Sequence, residues 1–363
     1  MNGNLKTAVS GPDSDIIREA TDNFTGRLAN QTNLHFLPGN DRKMAAAAQL
    51  QISYKRAGNL KLHEDESYTL EINSTKINLT AATDLGAAHG LKTLLQFLQK
   101  DARGFYFRGA KINDAPRFPW RGLLIDVARH FIPVPVLKRN IDAMAAAKLN
   151  VLHWHLSDDQ AFRVESKALP KLHQTGSGGQ FYSQQQVKEV IKYAAAKGIR
   201  VIPEFDMPAH ATAMIAAYPE LASNDSTYGL PERWGILNVS IDPTKESTYQ
   251  LLEKFFVEMT ALFPDEYFHI GGDENDGRQW KRSPRIQQFM SENGLKDVHA
   301  LQLYFNKRIA KLLAANGKKM VGWDEILNPD LPKTAVIQSW RGNKSLVKAA
   351  QQGHQVILSN GYY

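Results

Sequence analysis

Apolar residues recur along this chain with two periods, and the way the periods alternate changes near residue 115. Residues 13–29, DSDIIREATDNFTGRLA, carry apolar positions at helical spacing. Residues 45–56, 67–75 and 75–83 hold β-branched stretches separated by turn formers and read as strands. Residues 84–100, DLGAAHGLKTLLQFLQK, return to the helical period. Strands followed by a helix predict a small α+β domain over residues 1–115, a sheet with helices on one face. No residue in it suggests chemistry, so it reads as a supporting domain. In INDAPRFPWRG, residues 112–122, Pro116 and Pro119 deny helix and stiffen a boundary.

Beyond that boundary apolar runs and amphipathic stretches alternate. Runs at 121–129, 151–159, 199–210, 266–274, 318–327, 334–340 and 354–363 read as strands. Stretches at 133–150, 183–198, 245–263, 297–317 and 343–353 read as helices. Such alternation means parallel βαβ units. A doubly wound sheet would carry a glycine-rich phosphate loop at a strand-to-helix turn, and no GxGxxG or GxxxxGK stands at one. The expected fold is α/β, a (β/α)8 barrel over residues 116–363. Eight strands close such a barrel, and seven are counted, so the last is expected to be missing from this chain.

Composition adds exclusions. Lys and Arg exceed Asp and Glu by 44 to 37, but no long basic run occurs, which fits a solvated cationic surface better than a nucleic-acid site. The chain has no cysteine, which removes disulfides, zinc–thiolate sites and cysteine nucleophiles. No stretch approaches the ~18 apolar residues of a membrane span. The N-terminal residues lack a signal peptide's apolar core. The protein is then either cytoplasmic or written without a removed leader. Since cysteine absence fits an oxidising compartment, a periplasmic or secreted location is expected.

Candidate chemistry collects at the C-terminal ends of the strands, where barrel enzymes keep their active sites. Asp126 and Arg129 end the first strand. His153, His155, Asp158 and Asp159 belong to the second, Glu204, Asp206 and His210 to the third, and Asp273 and Glu274 to the fourth. Trp323, Asp324 and Glu325 end the fifth, Trp340 and Arg341 the sixth, and Tyr362 and Tyr363 the seventh. Taken singly, an Asp such as Asp206 is often a helix N-cap. His153 and His155 share one strand face. Such a pair can bind metal but is more often structural, and no metal or cofactor is expected. The sharpest feature is HIGGDEN, residues 269–275, which sets two carboxylates side by side after two glycines. Like charges that close resist joint ionisation, so the arrangement is costly unless it is used. Carboxylates, an Arg, a His and aromatics in one pocket suggest sugar chemistry, with a carboxylic acid protonating a glycosidic oxygen.

These motifs, in order, resemble glycoside hydrolase family 20, the β-N-acetylhexosaminidases. The likeness runs through APRFPWRGLLIDVARHF, LNVLHWHLSDDQAFRVES, GIRVIPEFDMPAHATAM, FHIGGDE and VGWDEIL to GYY, over residues 112–363. It implies an exo-acting, retaining enzyme that removes terminal GlcNAc or GalNAc from oligosaccharides or glycoconjugates, chitin oligomers among them. The substrate's C2 acetamido oxygen is then the nucleophile and an oxazolinium ion the intermediate. By resemblance Glu274 is the general acid and then base, while Asp273 orients the acetamide N–H. Arg129 grips the outer hydroxyls. Asp159, with Asp158 as the second candidate, belongs to the network beneath the site, and His210 lies near the acid. Trp323 and Trp340 wall the acetamido pocket, and the Tyr363 hydroxyl bonds the acetamide oxygen. An ionised Asp273 is expected to help hold Glu274 protonated.

Two departures stand out. Ala209 replaces a frequent Gly. The chain also stops at Tyr363, before an Asp and an eighth strand whose Trp and Glu bind the terminal sugar. A separate C-terminal fragment completing the barrel is the expectation. A sugar-binding protein with an inactive, incomplete barrel and a metal-dependent barrel hydrolase remain as alternatives.

Overall fold

The computed structural model describes residues 5–34 and 48–360. The chain divides into two compact units, residues 1–122 with 138–151 and 192–200, and residues 123–137 with 152–191 and 201–363.

The first unit holds β1 (Thr7–Ser10), α1 (Asp15–Thr32), β2 (Leu50–Arg56), β3 (Tyr68–Ile72), β4 (Ile77–Thr83), α2 (Asp84–Gln96), β5 (Leu98–Asp101), β6 (Gly104–Phe107) and β7 (Ala110–Asp114). Five strands form a mixed sheet in the order β1-β2-β4-β3-β7. Alternation sets its buried face: Leu50, Ile52 and Tyr54 on β2, Tyr68, Leu70 and Ile72 on β3, and Ile77, Leu79 and Ala81 on β4. Ile17, Phe24 and Leu28 of α1 and Ala87, Leu91 and Leu94 of α2 complete that cluster. Ser14 and Thr83 cap the two helices by accepting from backbone N–H groups. Helix α2 lies so close to the sheet that a Cβ on Gly86 would sit 2.2 Å from the Ser67 carbonyl oxygen. The helical reading of residues 84–100 is too long. The helix ends at Gln96, because the Gly-Phe-Tyr-Phe run beyond offers Leu98–Asp101 an antiparallel partner. Short β1 and β7 also escape the pattern reading.

The second chain of elements is β8 (Gly122–Asp126), α3 (Val134–Ala146), β9 (Val151–Ser157), α4 (Lys171–Gln174), α5 (Gln184–Ala195), β10 (Arg200–Phe205), α6 (Thr212–Ala217), α7 (Glu246–Leu262) and β11 (Tyr267–His269). It continues with α8 (Arg278–Arg282), α9 (Pro284–Glu292), α10 (Val298–Ala315), β12 (Lys319–Trp323), β13 (Val336–Ser339), α11 (Asn343–Gln351) and β14 (Val356–Leu358). The seven strands form one sheet in sequential order, β8 to β14, and the pairs from β10 to β14 are parallel. Sequential order means that the sheet winds in one direction without the reversal of a doubly wound fold. This is a mixed α/β fold with a curled parallel sheet, the arrangement of a barrel wall.

Period two explains how this sheet sorts its residues. Every residue of β9 is buried. Trp154 faces one way, against Tyr182 at 4.9 Å between ring centroids. His153 and His155 face the other. On β10 and β11, Phe205 and Phe268 stack at 5.7 Å and meet Phe255 and Phe256 of α7. Glu204 and His269, in register with each other, take the opposite face. The layer under the helices is therefore apolar and aromatic, and the inner face is ionic.

Candidate active site

Glu204 organises the inner face. It is fully buried, yet its oxygens meet groups from three other strands. His153 Nε2 and His155 Nδ1 each lie 2.7 Å from Oε2, and His269 Nδ1 lies 3.2 Å from Oε1. Trp323 Nε1 donates to Oε1 at 2.8 Å. Burial alone would raise the carboxyl pKa, but the three imidazoles outweigh it and hold Glu204 well below the carboxylate range. His155 moves the other way. Burial disfavours its cation, but Glu204 and Asp158 overcome that and raise it well above an ordinary histidine. His269 is driven down to about 4, mainly by burial.

The network then climbs to the strand ends. His155 Nε2 lies 3.0 Å from Asp158 Oδ2, and the same oxygen takes the Arg129 guanidinium at 2.5 Å. Arg129 also donates to Asp126 at 3.0 Å. His210 Nδ1 lies 3.2 Å from Asp158 Oδ1 and 3.4 Å from Asp159 Oδ2. Asp159 accepts from the Thr212 backbone N–H and hydroxyl. Of the two adjacent aspartates, Asp158 thus makes the Arg129 contact, and Asp159 holds the start of α6 and His210.

The paired carboxylates sit where β11 breaks. Gly271 and Gly272 have φ of 67° and 93°, and Glu274 itself has φ of 50°. A Cβ on Gly271 would fall 1.8 Å from Asp206 Oδ1, and one on Gly272 2.3 Å from Ile326 Cγ2. Only glycine accepts both the left-handed backbone and the close approach. The bend replaces the strand's alternation, so that Asp273 and Glu274 both reach His210. Its Nε2 lies 3.2 Å from Glu274 Oε2 and 3.8 Å from Asp273 Oδ2. Asp206 is no N-cap: its Oδ1 accepts from the Gly272 N–H at 3.0 Å, and the cap position of α6 is Ala211. Burial, then Asp273, raise Asp206 well above the carboxylate range. Burial also raises Asp273, but the charge of His210 and then its bond with Asp206 oppose the rise. Asp206 therefore keeps the proton of the pair and supports an anionic Asp273. Among the described residues, Asp273 Oδ1 is buried without a hydrogen-bond partner. An acceptor left so is suited to an N–H brought by a ligand.

Glu274 departs from expectation. Its pKa is lowered, first by the bond from His210 and then against the opposing pull of burial. His210 is strongly cationic, since Asp158, Asp159 and Glu274 outweigh its burial. The nearest cation, and not Asp273, dominates Glu274 in the free protein.

Trp323 and Trp340 end β12 and β13, and each indole N–H is held by a carboxylate, Glu204 for Trp323 and Glu325 for Trp340. Tyr363 lies outside the described residues, as does Tyr362. His155, Glu204, Asp206 and Glu325 are among the strand-end candidates of the sequence, and His269 opens HIGGDEN, but none of the five carries a catalytic or sugar-binding role there. Glu204, Asp206 and Glu325 do stand at strand ends, which is the one signal that pointed to them. Among the described residues, three groups are compact enough to bind one metal ion: His153–Glu204–His269, Asp158–Asp159–His210 and Asp206–His210–Asp273, with donors within 4.8 Å of one another. In each, one carboxylate oxygen accepts from a protein N–H or O–H: Glu204 Oε1 from Trp323, Asp159 Oδ1 from Thr212, Asp206 Oδ1 from Gly272.

Comparison with known proteins gives a consistent result. The catalytic-domain model of glycosyl hydrolase family 20 matches residues 118–363, and a beta-acetyl hexosaminidase like domain matches residues 5–97. A beta-hexosaminidase of Porphyromonas gingivalis is 39% identical over 82% of this chain and 40% of its own length. The crystal structure of Flavobacterium johnsoniae chitobiase superposes with a TM-score of 0.97 at 45% identity, over 100% of this chain and 57% of that one. A Streptomyces plicatus N-acetyl-beta-hexosaminidase, solved with Thio-NAglucal, gives a TM-score of 0.80 at 30% identity, over 98% of this chain and 70% of that one. The chain thus spans about half the length of the first two of these relatives. With its catalytic-domain match over residues 118–363, the chain belongs to glycosyl hydrolase family 20.

Proposed function

We propose that the protein is an exo-acting, retaining β-N-acetylhexosaminidase that removes terminal GlcNAc or GalNAc by substrate-assisted catalysis. The observation that carries this reading is the Asp273–Glu274 pair, bent by Gly271 and Gly272 toward one histidine, with Asp273 Oδ1 buried and unpartnered. An acetamide N–H donated to Asp273 aims the C2 acetamido oxygen at the anomeric carbon. That oxygen attacks, the glycosidic bond breaks, and an oxazolinium ion forms. Asp273, kept anionic by its protonated neighbour Asp206, stabilises the positive charge. Glu274 gives its proton to the leaving oxygen and then takes one from the attacking water. Because His210 depresses Glu274 in the free protein, the bound sugars must desolvate that carboxyl to make it an acid near neutral pH. Arg129, held by Asp126 and Asp158, grips hydroxyls in this reading, and Trp323 and Trp340 enclose the acetamide. Tyr363 takes the acetamide oxygen in this reading.

Residues 1–115 serve as a small supporting α+β domain. Residues 116–363 supply seven strands of a (β/α)8 barrel, closed by an eighth from sequence outside these 363 residues, whether contiguous or a separate fragment. Absence of cysteine supports a periplasmic or secreted location, which cell fractionation tests.

The deciding assay is nitrophenol release from the nitrophenyl β-N-acetylglucosaminide by wild type, Asp273→Asn and Glu274→Gln, with residues 1–363 alone and with the further C-terminal sequence. Turnover that collapses in both variants supports the proposal. Wild type that binds the sugar but never turns it over supports the binding-protein reading, and loss of activity with a chelator supports the metal-dependent one.

A further inference from the structure

Glu325 is a carboxyl in the pocket to which the mechanism gives no task. It stands on the single 3-10 turn, Asp324–Ile326, that follows β12. Both its oxygens accept from one donor, Trp340 Nε1, at 3.2 and 3.1 Å. Trp340 comes from the next strand end, so this contact ties two neighbouring strand ends across the mouth of the sheet. The charged groups around Glu325 come from three elements. Asp324 precedes it on its own turn, Arg341 Nε from the β13 end lies 3.8 Å away, and Asp273 faces it from the β11 end. Arg341 is mainly committed to Asp324, at 3.0 Å, so it does not neutralise Glu325 outright.

We propose that Glu325 is a positioning residue of the sugar pocket: it holds the Trp340 indole by its N–H in the orientation that walls the acetamide, and it does so as a second acidic group facing Asp273. An indole anchored by one N–H to two oxygens keeps its ring plane fixed, whereas an unanchored Trp at a strand end samples other rotamers. The side chain is four-fifths covered, and burial followed by the charge of Asp273 raises its pKa to about 7. Its proton is thus held at slightly acid pH and leaves as the pH passes neutrality. The inference rests on the proposed function, since it assigns Glu325 to the same sugar.

The test uses the intact protein, with wild-type turnover of the nitrophenyl substrate as the control and calorimetric titration of GlcNAc as a binding readout that needs no turnover. Glu325→Ala should raise KM and the GlcNAc Kd about five- to tenfold, the worth of one anchoring hydrogen bond, with a smaller change in kcat. Glu325→Gln keeps an acceptor for the indole and should return both constants to within about threefold. It should also remove the inflection near pH 7 that Glu325 is expected to give the wild-type kcat/KM profile. In a Trp340→Phe background, which lacks the N–H, Glu325→Ala should have no further effect on KM. Melting curves identify any variant that fails to fold, and Glu325→Gln, isosteric with the native residue, carries the test if the alanine variant does not. A glutamine variant as weak as alanine, or an inflection near pH 7 that survives it, overturns the assignment. Wild type that binds GlcNAc without turning it over refutes the hydrolase reading and leaves the binding arm to decide on Glu325. Wild type that neither binds nor turns over refutes both.

Discussion

Replacing Glu204 by Gln tests whether one buried carboxylate holds the site together electrostatically. The change preserves shape and leaves a carbonyl for Trp323 Nε1, but removes the charge that faces three imidazoles at 2.7 to 3.2 Å. Deleting one partner of a buried pair typically costs about 3–5 kcal/mol, because the other charge stays buried without compensation. Here the stranded charge is His155, which still has Asp158 at 3.0 Å, so about 3 kcal/mol is expected. The sign with pH follows from both groups. Glu204 is depressed, so its contribution is present above its ordinary value of 4.5 and fades as pH falls through the lowered one. His155 is raised, so its contribution is complete below 6.5 and fades as pH rises through the raised value. Wild type therefore gains most between these limits, and the deficit of Glu204→Gln should be widest there. Urea unfolding of both proteins across that range measures it. A loss below about 1 kcal/mol that does not vary with pH would refute the reasoning, since a neutral amide would then serve as well as the anion.

The other predictions are more local. Gly271→Ala places a methyl 1.8 Å from Asp206 Oδ1 at a φ of 67°. The backbone strain of about 1–2 kcal/mol and the disturbed Asp206–Gly272 bond should together destabilise by about 2–4 kcal/mol, read by thermal melting, with activity down at least tenfold. His210→Asn removes the cation that depresses Glu274. The Glu274 pKa should rise, moving the alkaline limb of kcat/KM to higher pH, and an unmoved limb would show that another group controls the acid. With a leaving group as acidic as dinitrophenol, Glu274→Gln should recover much of its kcat while Asp273→Asn stays slow, because only the first loses a proton donor. Equal recovery of both would contradict the division of roles.

The parts of this site that were legible in the sequence are those governed by local rules. Alternation put His153 and His155 on one face of β9, and the structure turns both toward Glu204. The glycine pair before Asp273 is plain in the sequence, and positive φ at Gly271 and Gly272 makes it a bend. What stayed hidden depends on which strands become neighbours. Glu204 looks like one of several strand-end acids until β9, β11 and β12 bring three histidines and an indole to it. Asp206 carries the features of an N-cap, and only the close approach of the β11 end converts it into the proton-holding partner of Asp273. The same reason explains the error over Glu274. Sequence neighbours suggested that Asp273 sets its proton affinity, but His210, 64 residues away, makes the hydrogen bond. Adjacent carboxylates are therefore tolerable here because the cationic His210 faces both and lowers both. Asp273 is paired downward with a protonated Asp206, and Glu274 sideways with a cationic His210. The bend that brings them to one sugar sets both within reach of one cation, His210, and gives Asp273 a second partner in Asp206, so two carboxylates stand side by side within one turn of chain.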